Sequence, residues 1–367
     1  MMTIPTVTAT ITMSMSMSPD YSRQLLLKEV GSAGQAKLAA SRVLVVGAGG
    51  LGSPVLQYLA GAGVGFLSII DADTLHPSNL HRQPIFALSD AGRQKVALAA
   101  AAVEKINPGV RLQTHALRFD ADNALALVSA HDVVVDCSDN FRTKFLINDA
   151  AVLARRPAVF ASVYQYEGQV QVYKPAASHA CLRCLWPDAT ADGVVGNCAE
   201  AGVLGPVPGT FGCVQALLTL KILLGIPGQL DGELLLMDFM SFGNTKLKAP
   251  RRAECIAPGC ALVRELAPEQ PDLELTLASL EEARARRLEL IDVRTLEEFS
   301  ARPTPSRHIP MATLLEDPAV LDAGESYLLI CASGKRSLAA ARELRKRGVD
   351  ARSLAGGLQA LESAGVA

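Results

Sequence analysis

The chain has little of what would send it into a membrane or onto a nucleic acid. No apolar run reaches the ~18–20 residues that a spanning helix needs, because glycine, proline or charge interrupts the longest ones. There is no basic surplus either: 35 Lys and Arg stand against 37 Asp and Glu, a formal net charge of -2, which argues against a nucleic-acid partner. The first eighteen residues carry no charge at all. A secretory signal wants a positive start and an apolar centre. Residues 1–19 are therefore expected to be a disordered tail, and the compartment a reducing, cytoplasmic one. What is abundant is core material: 367 residues, 49% hydrophobic and 20% charged, are enough for two packed domains.

Residues 41–46 (SRVLVV) are a β-branched run that stops at glycines and reads as a buried parallel strand. A helix over 53–61, a strand over 65–71, a helix over 91–106, a strand over 132–136 and a helix over 141–155 follow. Strands alternating with helices predict an α/β fold with a doubly wound, mostly parallel sheet of Rossmann type. Residues 167–173 (EGQVQVY) alternate with period two, and with a helix in 202–225 and a strand at 232–238 they predict an antiparallel extension. Residues 249–274 lack periodicity. A second, smaller α/β pattern comes after them, with strands at 288–292 and 327–331 and helices at 280–286 and 337–347. The expected division is tail 1–19, first domain 20–260, linker 261–274 and second domain 275–367.

Gly47, Gly49, Gly50 and Gly52 follow the first strand and open a helix. Glycines let backbone approach a phosphate, and the helix start supplies N–H groups and a positive dipole end. Asp71 ends the second strand, where a carboxylate can take ribose hydroxyls. A nicotinamide dehydrogenase would share these features. It would not share what comes next: Asp73, then Ser78, Asn79, Leu80, His81 and Arg82, then Lys95 on a helix, then Asp139 and Asn140 past the strand DVVVD. Two cations and several acids at strand ends suit ATP with Mg2+: Arg82 and Lys95 to neutralise phosphate, Asp139 to hold the ion.

These segments resemble the ubiquitin-activating-enzyme-like adenylyltransferases, in particular those that act on molybdopterin synthase and on thiamine sulfur carriers. The resemblance rests on GAGGLG, DAD with SNLHRQ, QKV at 94–96, CSDN at 137–140, CLRC at 181–184 and CAEAGV at 198–203, and it covers residues 21–260. It implies that Gly50, Asp71, residues 78–82, Lys95, Asp139 and Asn140 contact ATP and magnesium. It also implies a homodimer in which Arg23 reaches the neighbouring subunit's nucleotide. A cysteine at the place of Cys198 is linked, in that family, to an acyl or disulfide intermediate.

Eight cysteines in a reducing compartment more often bind metal or do chemistry than form disulfides. Cys181 with Cys184, and Cys255 with Cys260, are two pairs that can close a four-thiolate structural Zn2+ site. The second pair has four intervening residues, where the family usually has two. Cys137 and Cys213 read as packing residues.

Cys331-Ala-Ser-Gly-Lys-Arg336 follows a buried strand and opens a helix. Helix N–H groups and two cations, Lys335 and Arg336, favour the charged sulfur. With IDVRTLEEF at 291–299, RHIPMA at 307–312 and LAGGLQAL at 354–361, this part resembles the rhodanese family, which implies a persulfide on Cys331.

The two halves together point to adenylation of the C-terminal glycine of a small ubiquitin-like sulfur carrier protein ending in Gly-Gly, foremost the small subunit of molybdopterin synthase. Sulfur then passes from Cys331, itself loaded by a donor such as a cysteine desulfurase. A thiamine or tRNA-thiolation carrier would fit the same chemistry. A nicotinamide oxidoreductase leaves SNLHRQ, the cysteine pairs and the second domain unexplained. A non-catalytic scaffold leaves Arg82, Lys95, Asp139 and Cys331 without purpose.

Overall fold

In the computed structural model the described residues are 19–175, 180–186, 202–228, 230, 232–255, 260, 263, 266, 273–277, 279–322 and 324–363. Helices α1 (Ser22–Leu25) and α2 (Gly31–Ala40) lead into β1 (Arg42–Val46), α3 (Gly52–Gly61), β2 (Phe66–Ile70), α4 (Lys95–Ile106), β3 (Arg111–His115), α5 (Ala121–Ser129), β4 (Val133–Asp136) and α6 (Phe141–Ala154). Strands β5 (Ala158–Tyr164) and β6 (Glu167–Tyr173), helices α7 (Leu182–Leu185) and α8 (Pro206–Leu224), and strands β7 (Glu233–Asp238) and β8 (Gly243–Lys248) complete the first unit. Its eight-stranded sheet runs β3-β2-β1-β4-β5-β6-β7-β8. The strands from β3 to β5 are parallel and the last three pairings antiparallel.

The unbroken apolar runs of β1 and β4 have a simple cause: both faces of the sheet are covered. Val43, Val45, Val133 and Val135 enter one core with Val55, Leu59, Val96 and Phe211. Leu44, Val46 and Val134 enter the other with Phe145, Ile147 and Cys181. Helix α8, with a mean hydropathy of 1.5 over its apolar window, is long and apolar enough by length and composition to cross a membrane. That corrects the expectation that glycine and proline leave no such run. It packs against α3, β5 and β6 as a core helix, which is what an element apolar on all sides does inside a protein.

Order reverses between β1 and β4: β2 lies to one side of β1 and β4 to the other. A doubly wound sheet opens its ligand crevice at that switch point, beyond the carboxyl ends of the strands. The loops after β1 and β4 carry the two motifs with most chemistry.

The second unit contains β9 (Glu274–Leu275), α9 (Leu280–Ala285), β10 (Glu289–Asp292), α10 (Leu296–Ala301), β11 (Arg307–His308), α11 (Met311–Glu316), β12 (Ser326–Ile330), α12 (Lys335–Lys346), β13 (Asp350–Leu354) and α13 (Gly357–Ser363). Its sheet runs β11-β10-β12-β13-β9, all parallel. In the expected linker, Val263 is buried in the core of the first unit with Leu266 against it, whereas Leu273 joins the second. The expected helix over 91–106 begins only at Lys95, because Leu88–Asp90 forms a short 3-10 turn and Gly92 takes a φ of +84°.

Candidate active site

Gly47 stands at a φ of +99°, and a Cβ there would meet the Cys137 carbonyl oxygen at 2.6 Å. Only glycine lets the loop after β1 lie against the loop after β4. Gly52 allows the same close approach to the Gly47 carbonyl and is not itself in the crevice wall. Asp71 accepts from the Ala48 and Asp73 backbone N–H groups, both at 2.8 Å. Burial pushes its carboxyl up, while those two amides and Lys95 oppose the rise. Each oxygen thus keeps a free lone pair in a half-buried place, as an acceptor for a ribose hydroxyl must.

Lys95 opens α4 and is 5% exposed. Its Nζ lies 2.8 Å from Asp73 Oδ2. Arg82 donates from Nη1 to the Ser78 carbonyl at 3.2 Å and lies 2.9 Å from His81 Nε2. Gln83, next to it, ends the SNLHRQ block. It is 3% exposed, its Oε1 has no partner among the described residues, and it lines the same cavity. A buried acceptor without a donor is costly, and a bound ligand is the natural supplier.

After β4, Asn140 caps α6 by accepting from the Thr143 N–H at 2.8 Å. Asp139 beside it is exposed toward the cavity. Beneath them lies a pair that sequence reading missed. Asp136 is fully buried, and Lys144 Nζ reaches its Oδ2 at 2.6 Å, the Ser138 carbonyl at 2.9 Å and the Ala161 carbonyl at 2.5 Å. The signal was present: a carboxylate closing an apolar strand demands a cation, and Lys144 lies one turn into the next helix.

These groups share a cavity of about 1640 Å3. Gly47, Gly49, Gly50, Asp71, Asn79, Arg82, Lys95, Asp139 and Asn140 line it. Ser78, Leu80, His81 and Arg23 do not. Ser78 Oγ turns to His76 Nδ1 at 2.7 Å, Leu80 packs on the core, and Arg23 is exposed on α1. Cys198 lies outside the described residues.

Three of the four expected thiolates come together: Cys181, Cys184 and Cys255. Cys181 Sγ is 3.8 Å from that of Cys184 and 3.7 Å from that of Cys255, and all three are buried. A tetrahedron with Zn–S bonds of about 2.3 Å has edges of about 3.8 Å. Cys260 is buried in the same core, but its sulfur is not among the three that lie within 4.8 Å of one another. Burial is the largest cause that pushes the Cys255 thiol up to about 11. A dication at the centre of the group reverses that preference. Cys137 is buried, with its Sγ 3.9 Å from Gln215 Oε1, and Cys213 is half-buried against Tyr58.

In the second unit Cys331 is fully buried at the base of its loop, with Sγ 3.5 Å from the Ser337 N–H nitrogen and 3.4 Å from its Oγ. Gly334 has a φ of +83° and backs onto the Gly356–Gly357 turn. Of the two expected cations, Arg336 is shared. It carries its charge near Cys331, but both its terminal nitrogens donate to Glu298 at 2.7 Å. Lys335 lines the large cavity.

A glycine loop at a sheet's switch point, an acid–cation crevice and a separate cysteine loop define a nucleotide-binding enzyme with an attached sulfur-handling module. Residues 21–257 match the ThiF family and residues 276–364 the rhodanese-like domain, and the chain belongs to the ThiF family. It is 38% identical to the "Adenylyltransferase and sulfurtransferase MOCS3" of Culex quinquefasciatus, over 93% of this chain and 86% of that one. It is 44% identical to the "Sulfur carrier protein adenylyltransferase" of Thermus thermophilus, over 64% of this chain and 88% of that one. Among solved structures, E. coli MccB with ATP shares the fold at a TM-score of 0.54 and 22% identity, covering 62% of this chain and 68% of that one. The chain is an adenylyltransferase joined to a sulfurtransferase domain.

Proposed function

We propose that this enzyme adenylates the C-terminal glycine of a small ubiquitin-like sulfur carrier protein ending in Gly-Gly, and then converts it to a thiocarboxylate with sulfur held on Cys331. The small subunit of molybdopterin synthase is the carrier put forward. The observation that carries the reading is one crevice lined by Asp71, Arg82, Lys95 and Asp139, on a chain that also holds a cysteine loop.

A carboxylate repels nucleophiles and has a poor leaving group. Its oxygen attacks the α-phosphorus of ATP, the bond to the β-phosphate breaks, and pyrophosphate leaves. Arg82 and Lys95 offset the developing charge, and Asp71 holds the ribose. No protein nucleophile is needed; positioning and electrostatics supply the acceleration. Asp139 would hold Mg2+, which supplies countercharge to the phosphates. Cys181, Cys184, Cys255 and Cys260 would hold structural Zn2+, with no open position for catalysis.

The terminal sulfur of a Cys331 persulfide then attacks the acyl carbon. The bond to AMP breaks and an acyl disulfide remains. The Cys198 thiolate attacks the Cys331 sulfur, which forms a Cys198–Cys331 disulfide and releases the thiocarboxylate. A cellular dithiol reduces that disulfide, and a cysteine desulfurase reloads Cys331. We place the enzyme in the cytoplasm as a homodimer, with Arg23 reaching the partner's nucleotide. The test is carrier-dependent ATP–pyrophosphate exchange. Exchange that requires the molybdopterin synthase small subunit supports the reading, and no exchange with any diglycine-ended carrier overturns it.

A further inference from the structure

The cavity is larger than its nucleotide end requires. Small-molecule sites usually occupy about 300–1,000 Å3, and this one measures about 1640 Å3. The excess lies between the two units. From the glycine loop the wall continues over Tyr164 and Gln169 on the antiparallel strands, and ends on Ser333, Gly334 and Lys335 of the cysteine loop. Those loop residues follow Cys331 directly and belong to the same chain. Glu274 of β9, the first strand of the second unit, lies in the wall as well.

We propose that sulfur transfer runs within one chain: the crevice that makes the adenylate and the loop that carries the persulfide are two ends of one chamber, so a protomer's own Cys331 serves its own nucleotide site. This rests on the function proposed above and adds which loop serves which site. A persulfide extends Cys331 by about 2 Å, from the base of the loop toward the residues that form the chamber wall. The carrier's tail is adenylated at the other end. Terminal sulfur displaces AMP from the acyl carbon with no release of the activated carrier into water, where it would hydrolyse. Lys335, at the start of α12, adds positive charge to the cysteine-loop end of the chamber, where the anionic terminal sulfur emerges.

The test pairs two single-site variants. Asp139→Ala removes adenylation but should still take sulfur from thiosulfate; Cys331→Ser removes the persulfide but should still support pyrophosphate exchange. Those retained halves show that each variant is folded. The two are mixed after purification and also co-expressed, then given ATP, thiosulfate, dithiothreitol and the molybdopterin synthase small subunit. Transfer within one chain predicts thiocarboxylate at least about tenfold below the wild-type rate in both arms. Recovery toward the wild-type rate in either arm overturns the inference and leaves the proposed function intact. A wild-type enzyme that makes no thiocarboxylate removes the function and the inference together.

Discussion

Lys144 Nζ and Asp136 Oδ2 lie 2.6 Å apart, with the carboxylate fully buried. The same ammonium binds the Ser138 carbonyl, so the pair fixes the turn that presents Asp139 to the cavity. Removing one partner of a buried pair leaves an uncompensated charge, at a cost of ~3–5 kcal/mol. Lys144→Met should lose about that much in urea unfolding, and pyrophosphate exchange should fall with it. Lys144→Met with Asp136→Asn should recover part of the stability, because the stranded charge is gone.

The Arg336–Glu298 pair makes a different prediction. Hydrogen bonding to Arg336 holds the Glu298 carboxyl at about 2. A depressed carboxyl stabilises the folded state above its ordinary titration range, and loses that contribution only as pH falls toward 2. NMR titration of Glu298 should therefore show no protonation between pH 7 and 4. Both side chains are 38% exposed, so the effect of the pair on stability is small. Its role is to aim Arg336. Glu298→Gln should lower thiosulfate-to-cyanide sulfur transfer about fivefold, equivalent to ~1 kcal/mol, and leave pyrophosphate exchange unchanged.

Gln83 supplies the third test. Its buried Oε1 has no donor among the described residues, so a shape-matched apolar substitute should not destabilise the fold. Gln83→Leu should keep or raise Tm while KM for ATP rises about tenfold, the loss of ~1.4 kcal/mol. A lower Tm with unchanged KM would make Gln83 a packing residue only.

The thiol cluster predicts one zinc per chain by native mass spectrometry. Cys255→Ser should lose it, lower the Tm of the first unit and reduce pyrophosphate exchange. Thiosulfate-to-cyanide transfer by the second unit should persist, since its core is separate.

What was legible in the sequence follows from burial. β1, β2, β4 and β6 announce themselves because strands covered on both faces, or on one, must be apolar in a fixed pattern. β3 (RLQTH) and β8 (GNTKLK) do not: they are largely exposed edges of the sheet, and no core imposes a period on them. β13 (DARSL) is buried in part by its backbone neighbours β12 and β9 rather than by a repeating apolar side. Within the site, local chemistry pointed to residues that the structure does bring together: Gly47, Gly49, Gly50, Asp71 and Lys95 in the crevice, and Cys181, Cys184 and Cys255 in the thiol group. Glu298 was not legible, because its partner Arg336 lies 38 residues on; Gln83 was legible only as the end of the SNLHRQ block, and Lys144 was missed although Asp136, eight residues earlier, signalled it. Asn140 was expected at the nucleotide; it lines the crevice, yet its side chain also caps α6.

The most direct measurement is intact mass of the molybdopterin synthase small subunit after incubation with enzyme and ATP, with and without thiosulfate. Without thiosulfate the carrier should gain one AMP, and with it the terminal carboxylate should exchange one oxygen for sulfur. A carrier whose mass stays unchanged in both reactions, with ATP bound to the enzyme, would contradict the account.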